Sequence, residues 1–131
     1  MRRPVDHVQQ RIFVAEGDKV VRRLLESHLT VVSALMPEKW VGELAPLLQA
    51  RPENIPVFLA PKPLLEQLIG FSMFQGVMAV GRLPEPVPLG EVLSRAARPH
   101  LLVALEGLTN AENLGVVVRN CVAFGVQALI V

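Results

Sequence analysis

The sequence holds a single cysteine, Cys121, so no internal disulfide can form, and that usage is compatible with a reducing compartment. No apolar run approaches the ~18 residues of a transmembrane helix, and the opening MRRPVDHVQQ lacks the apolar core of a secretory signal. These features lead us to expect a cytoplasmic protein with no membrane partner. The three histidines, His7, His28 and His100, lie far apart without ligand spacing, which argues against zinc or a histidine-based triad and leaves no metal to expect. GLTNAENLG lacks both the triple glycine of G-x-G-x-x-G and the Gly-Lys pair of a Walker loop, so nucleotide folds of those kinds are disfavoured. A net charge of +1 gives no global pull on nucleic acid. Any such contact has to be local.

What is present is a folded, rather apolar chain: 51% hydrophobic and 19% charged residues, with a mean hydropathy of +0.41. Its 131 residues suffice for one ordinary domain, or for a small domain and part of another. RIFVAEG (11–17) reads as a strand, and Asp18 stands where its carboxylate could cap the following helix. In KVVRRLLESHL the residues Val20, Val21, Leu24 and Leu25 fall on one side, and Lys19, Arg22, Arg23 and Glu26 on the other. LTVVSALM is the second strand. MPEKWVGELAPLLQA is an amphipathic helix with Pro37 at its first position and Pro46 ending or kinking it. Trp40 shares helical spacing with Leu44 and Leu47, which favours a core residue over a base-stacking platform.

IPVFLA (55–60) is a third strand, KPLLEQLIG a short helix stopped by Gly70, FSMFQG an apolar loop that either packs the strand ends, the favoured reading, or forms a binding surface, and GVMAVGRL a fourth strand. This βαβαβαβ order makes a small α/β sandwich over residues 1–83. Pro84, Pro86 and Pro88 then stiffen an extended connector over 84–99, within which LGEVLSRAA adds a helical turn or two.

From residue 100 onward the pattern is strand, loop, helix, strand: LLVALEG, TNAEN, LGVVVRNCVAFG and VQALIV. Such continuous apolar runs suit strands buried on both faces, hence a βαβ unit of a parallel sheet. Ligands of such sheets bind beyond the carboxyl ends of the strands, where residues 106–113 fall. In the helix, Leu114, Val117, Val118, Cys121 and Val122 share one face, and Val116, Arg119, Asn120 and Ala123 the other. Cys121 is therefore expected to be an inert, buried thiol. Arg119 points away from the sheet in the company of Asn110, Glu112 and Asn113, and Gly115 leaves room for another backbone.

LEGLTNAENLGVVVRNCVAFGVQALIV resembles the first motif of the SpoU (TrmH) class of the SPOUT superfamily of RNA ribose 2′-O-methyltransferases. In that class a strand, an acidic-Gly turn, N-x-G and an Arg six residues after the Asn open the catalytic domain. Asn113, Gly115 and Arg119 match, whereas Asn110-Ala111 replaces the usual Asp-Pro. The order of the first 83 residues, with FQGVMAV, is similar to the substrate-binding domain that precedes that catalytic domain, a fold shared with ribosomal proteins that bind kinked RNA. The class commonly has His before Gln-Gly, and this chain has Phe74 there.

The resemblance implies an α/β fold: a ribosomal-protein-like α/β/α sandwich over 1–83, the linker over 84–99, and over 100–131 the first βαβ unit of a knotted SPOUT domain. It implies methyl transfer from S-adenosylmethionine to ribosomal or transfer RNA, with Asn113 and Arg119 as catalytic residues and a homodimer formed through the catalytic domain. The donor pocket comes from later motifs of the class, so no residue here is expected to bind the cofactor. We expect the chain to be the amino-terminal part of a longer enzyme, inactive alone. Arg11, Lys19, Arg22 and Arg23 are the expected RNA contacts, within a basic excess over the first 23 residues, although charge alone favours a solvated face for Arg22 and Arg23. A noncatalytic RNA-binding or assembly module is the alternative function.

Overall fold

The computed structural model describes residue 7, residues 9–69 and residues 76–131 of the chain. It divides into two compact units, with the boundary between Glu85 and Pro86. The expected loop over 71–75, with Phe74, the stop at Gly70 and the basic residues Arg2 and Arg3 lie outside the described residues.

In the first unit, β1 (Ile12–Glu16), α1 (Asp18–Glu26), β2 (Val31–Met36), a 3-10 turn (Glu38–Trp40), α2 (Val41–Gln49), β3 (Val57–Leu59), α3 (Lys62–Ile69) and β4 (Met78–Arg82) follow one another. The strand order is β1-β4-β2-β3. The last strand inserts between the first two, antiparallel to both, while β2 and β3 run parallel around α2. One face of this sheet carries the core. Ala15, Ala79 and Ala34 lie in one row across β1, β4 and β2, and all three are buried. Small residues there let Val21, Leu24 and Leu25 of α1 and Leu44 of α2 join the same cluster. In the next row a Cβ added to Gly81 would lie 2.5 Å from Cζ of Phe13, because the ring of Phe13 occupies the space above the glycine.

Val31 and Ala34 are both buried, although three residues apart on a regular strand would put them on opposite faces. The register of β2 against β4 shifts between Val31 and Ser33, and that extra residue turns both side chains inward. Met36, Leu44, Leu65, Val21 and Val77 are the largest fully buried side chains, each worth about 1.5–3 kcal/mol of burial. Trp40 is half-buried against this core, in agreement with its helical spacing to Leu44 and Leu47.

Several local expectations are corrected. Asp18 does not cap α1: Gly17 holds the cap position with no side-chain bond, and the Asp18 carboxylate instead accepts from Nε of Arg22 at 2.5 Å. The glycine has φ +88°, a conformation that an L side chain resists. Pro37 precedes a 3-10 turn rather than opening the α-helix, and α2 runs through Pro46, with Ala50 N donating to Pro46 O. β3 is shorter than expected, and all three of its side chains are exposed, as suits an edge strand.

The turn from α1 into β2 is closed by a residue more than twenty positions further along the chain. Arg51, just past α2, donates through Nη1 to the carbonyls of Leu25 and Ser27 and through Nη2 to that of Leu29. Its guanidinium also grips both carboxylate oxygens of Glu53, at 3.0 and 2.7 Å. One of these oxygens accepts from Val31 N at the start of β2. Only 9% of the Arg51 side chain is exposed.

The second unit contains α4 (Leu89–Arg95), β5 (Leu102–Ala104), α5 (Ala111–Ala123) and β6 (Ala128–Ile130). β5 and β6 pair in parallel around α5, giving the expected βαβ unit. The side chain of Gln127 ties the entry into β5: Oε1 accepts from Leu101 N, and Nε2 donates to Ala97 O at 2.6 Å. Only part of the expected helix face is covered. Leu114, Val117 and Cys121 are at least half-buried, whereas Val118 and Val122 are exposed, because the stripe that one strand pair can cover is narrower than five residues. The strands are likewise half-buried or exposed, not buried on both faces. Among the described residues no helix is long and apolar enough to cross a membrane.

The Arg51 guanidinium holds the Glu53 carboxyl down from its ordinary 4.5 to about 2. A folded-state value below the unfolded one contributes stability that is complete above the unfolded value and is lost as pH falls toward the folded one. Unfolding in urea between pH 5 and pH 2 is therefore expected to show a steeper loss of stability in the parent than in Glu53→Gln; parallel curves would contradict this linkage.

Candidate functional site

β5 ends at Ala104, and its ladder closes with Leu105 N donating to Ile130 O. Gly107 then takes φ +68°, the left-handed turn that its lack of a Cβ permits. Residues 106–113 thus lie beyond the carboxyl end of β5, where the parallel topology puts ligand chemistry.

Both ends of α5 are fixed. Oδ1 of Asn110 accepts from Glu112 N at 2.7 Å and from Asn113 N at 3.2 Å, satisfying two of the free amide groups of the first turn. Asn110-Ala111 in place of Asp-Pro therefore keeps what the loop requires: an acceptor at the cap and a residue tolerated at the first helical position. At the far end Gly125 N donates to Val122 O and Val126 N to Cys121 O, with Gly125 at φ +69°. This Schellman arrangement turns the chain directly into β6.

Leu114, Val117 and Cys121 form the inward stripe of the helix, so Arg119 projects from the opposite side and is exposed. Its guanidinium lies back toward the helix amino terminus: a Cβ added to Gly115 would sit 3.5 Å from Nη1 of Arg119. The room at Gly115 is thus taken by Arg119 among the described residues, not by another backbone. Asn113 does not join Arg119. Six residues of helix separate them by about 120° around the axis and about 9 Å along it. Asn113, the third residue of α5, has its amide tied to Asn110, while Glu112 shares the outer face with Arg119.

The four expected RNA contacts differ in their surroundings. Lys19, Arg22 and Arg23 stand together on the outer arc of α1, and Arg11 stands apart at the amino end of β1. Arg11 pairs with Glu85 and donates to Pro84 O. Arg22 lies between Asp18, at 2.5 Å, and Glu43, at 3.0 Å. Arg23 is 86% exposed and only 3.7 Å from Glu26, and Lys19 is exposed. Two of the four charges are therefore already neutralised closely within the unit.

Three further points bear on chemistry. Cys121 is buried, as expected. Among the described residues no group of His, Cys, Asp and Glu could hold a metal ion. A cleft of about 390 Å³ in the second unit is lined by Val87, Val92, Arg95, Ala96 and Gln127, but Gln127 precedes β6, so this cleft sits at the amino ends of the strands. Arg51, Glu53 and Gln127 were missed by sequence reasoning, since their partners lie up to 30 residues away. The one local signal was the Arg-Pro-Glu spacing just after α2.

No protein-family model matches the chain. Among curated proteins it is 32% identical over 130 residues to an uncharacterized tRNA/rRNA methyltransferase of Mycobacterium tuberculosis, covering 98% of this chain and 43% of that protein. It is 38% identical over 85 residues to a 23S rRNA (guanosine-2′-O-)-methyltransferase of Acinetobacter baylyi, covering 63% of this chain and 34% of that one. Among solved structures, a SpoU methyltransferase from Streptomyces viridochromogenes in complex with the cofactor AdoMet superposes with a TM-score of 0.71 at 20% identity, covering 96% of this chain and 47% of that one. The chain thus spans less than half the length of the curated relatives it matches.

The Schellman turn at Gly125 yields a direct test. Gly125→Ala forces an L residue into the left-handed region and is expected to lower unfolding stability by about 1 kcal/mol in thermal or urea melts. An unchanged midpoint would mean that the turn is not held as described.

Proposed function

Because the chain belongs to the SpoU (TrmH) class of the SPOUT superfamily, matching the amino-terminal part of its members, we propose that its full-length protein transfers a methyl group from S-adenosylmethionine to a ribose 2′-hydroxyl of ribosomal or transfer RNA. The observation that carries this reading is the coincidence of the loop 106–113 with the carboxyl end of β5, followed by a capped helix that presents Arg119 outward. Residues 1–83 serve as the RNA-binding domain, 84–99 as the linker and 100–131 as the opening of the catalytic domain. The full-length protein acts in the cytoplasm as a homodimer assembled through that domain.

When bound, S-adenosylmethionine supplies an electrophilic methyl group. The resemblance assigns the donor pocket to later motifs of the class, so no residue of this chain is given to it, and Oδ1 of Asn110 is engaged by the helix cap. What the chain contributes is electrostatic. An exposed guanidinium at Arg119 can steer a phosphate or stabilise the oxyanion that develops on the attacking ribose. Asn113, one face round the helix, can orient substrate through its side-chain amide.

RNA binding falls chiefly to Lys19 and Arg23, with Arg11 and Arg22 contributing less because carboxylates already face them. In the full-length protein Lys19→Ala is expected to reduce the slope of log affinity against log salt by about one, while Arg22→Ala changes it less. Equal slopes for both variants would remove the distinction between neutralised and available charge.

For the reaction, Arg119→Ala is expected to lower methyl transfer to RNA by at least about a hundredfold, with RNA affinity nearly unchanged. The measurement is incorporation of labelled methyl from S-adenosylmethionine, with a parallel binding titration. Equal loss of both would make Arg119 a docking residue. Absence of transfer by the unsubstituted protein with RNA binding retained would leave the noncatalytic module as the function.

A further inference from the structure

Asn113 is the side chain nearest the start of α5 to which the reading above gives a role, and its direction is set by whether the first helical turn is formed. Without a cap that turn frays, since its amide groups have no partners within the helix. The described contacts show one device that prevents this. Oδ1 of Asn110 accepts from two consecutive amide groups, and the second belongs to Asn113 itself. Asn110 has extended backbone angles (φ −105°, ψ 119°), so its side chain folds over the turn while its main chain still belongs to the loop. Loop and helix are thereby joined at the residue whose neighbour three positions on faces substrate.

We propose that Asn110 is a positioning residue for methyl transfer, acting through Asn113 by holding the amide of that residue in the first turn; the inference rests on the function proposed above. It makes no contact with the reacting atoms. The cap also predicts which replacement keeps the device: a carboxylate offers the same acceptor geometry and adds a favourable negative charge at the positive end of the helix, whereas a methyl group offers none. The two substitutions should therefore separate, although both change the same side chain by only a few atoms.

The test uses the full-length protein with Asn110→Ala and Asn110→Asp, measuring kcat and KM for RNA together with the stoichiometry of S-adenosylmethionine binding by calorimetry. Expected for Asn110→Ala is a fall in kcat of about fivefold or more, the rate equivalent of losing a cap. KM and a stoichiometry of one donor per chain should be unchanged, and Asn110→Asp should restore the rate. An unchanged kcat in Asn110→Ala, or a fall that Asp fails to restore, overturns the proposal. Reduced donor stoichiometry in Asn110→Ala also overturns it, because the residue would then hold the fold and not the site. No transfer by the unsubstituted protein would instead sink the function on which the inference rests.

Discussion

The bidentate pair of Arg51 and Glu53 is the contact on which the first unit depends. A guanidinium taken almost out of water is costly unless each of its donors finds an acceptor, and here they find two carboxylate oxygens and three backbone carbonyls. Those carbonyls lie at the end of α1 and in the turn that follows, where a helix leaves acceptors without partners. Glu53 carries the connection on to the first amide of β2. One ion pair thus fixes where α1 stops, where α2 stops and where the central part of the sheet begins.

The second unit solves the same problem of helix ends with local devices. Asn110 supplies acceptors to the amino terminus of α5, and the Schellman turn at Gly125 supplies donors to its carboxyl terminus. Because both ends are anchored to strands paired in parallel, the rotation of the helix about its axis is fixed by the inward stripe of Leu114, Val117 and Cys121. Arg119 then has one direction available, outward, and the missing side chain at Gly115 lets its guanidinium lie along the helix. The same helix keeps Asn113 on a different face, about 120° round the axis from Arg119.

Much of this was legible in the letters, and the misses share a cause. The short apolar run of RIFVAEG and the helical spacing of Val21, Leu24 and Leu25 identify their elements, the second because burial on one face imposes a period along the chain. Asp18 was read as a cap on the same local logic, but Arg22 one turn later offers its carboxylate a charged partner, and Gly17 takes the cap position. Val118 and Val122 have the right period for burial and remain exposed, since period says which residues share a face and not how wide a surface covers it.

The sequence by itself determined the order of strands and helices, the N-x-G spacing ending in Arg119 and the resemblance to the SpoU class, all of which are properties of neighbours along the chain. Tertiary structure decided that β4 inserts between β1 and β2, that Arg51 closes a turn more than twenty residues before it, and that Arg11 and Arg22 are neutralised while Lys19 stays exposed. Those outcomes depend on which distant groups folding brings within a few ångströms, and pairing energies at that range vary with burial and geometry that no local pattern encodes.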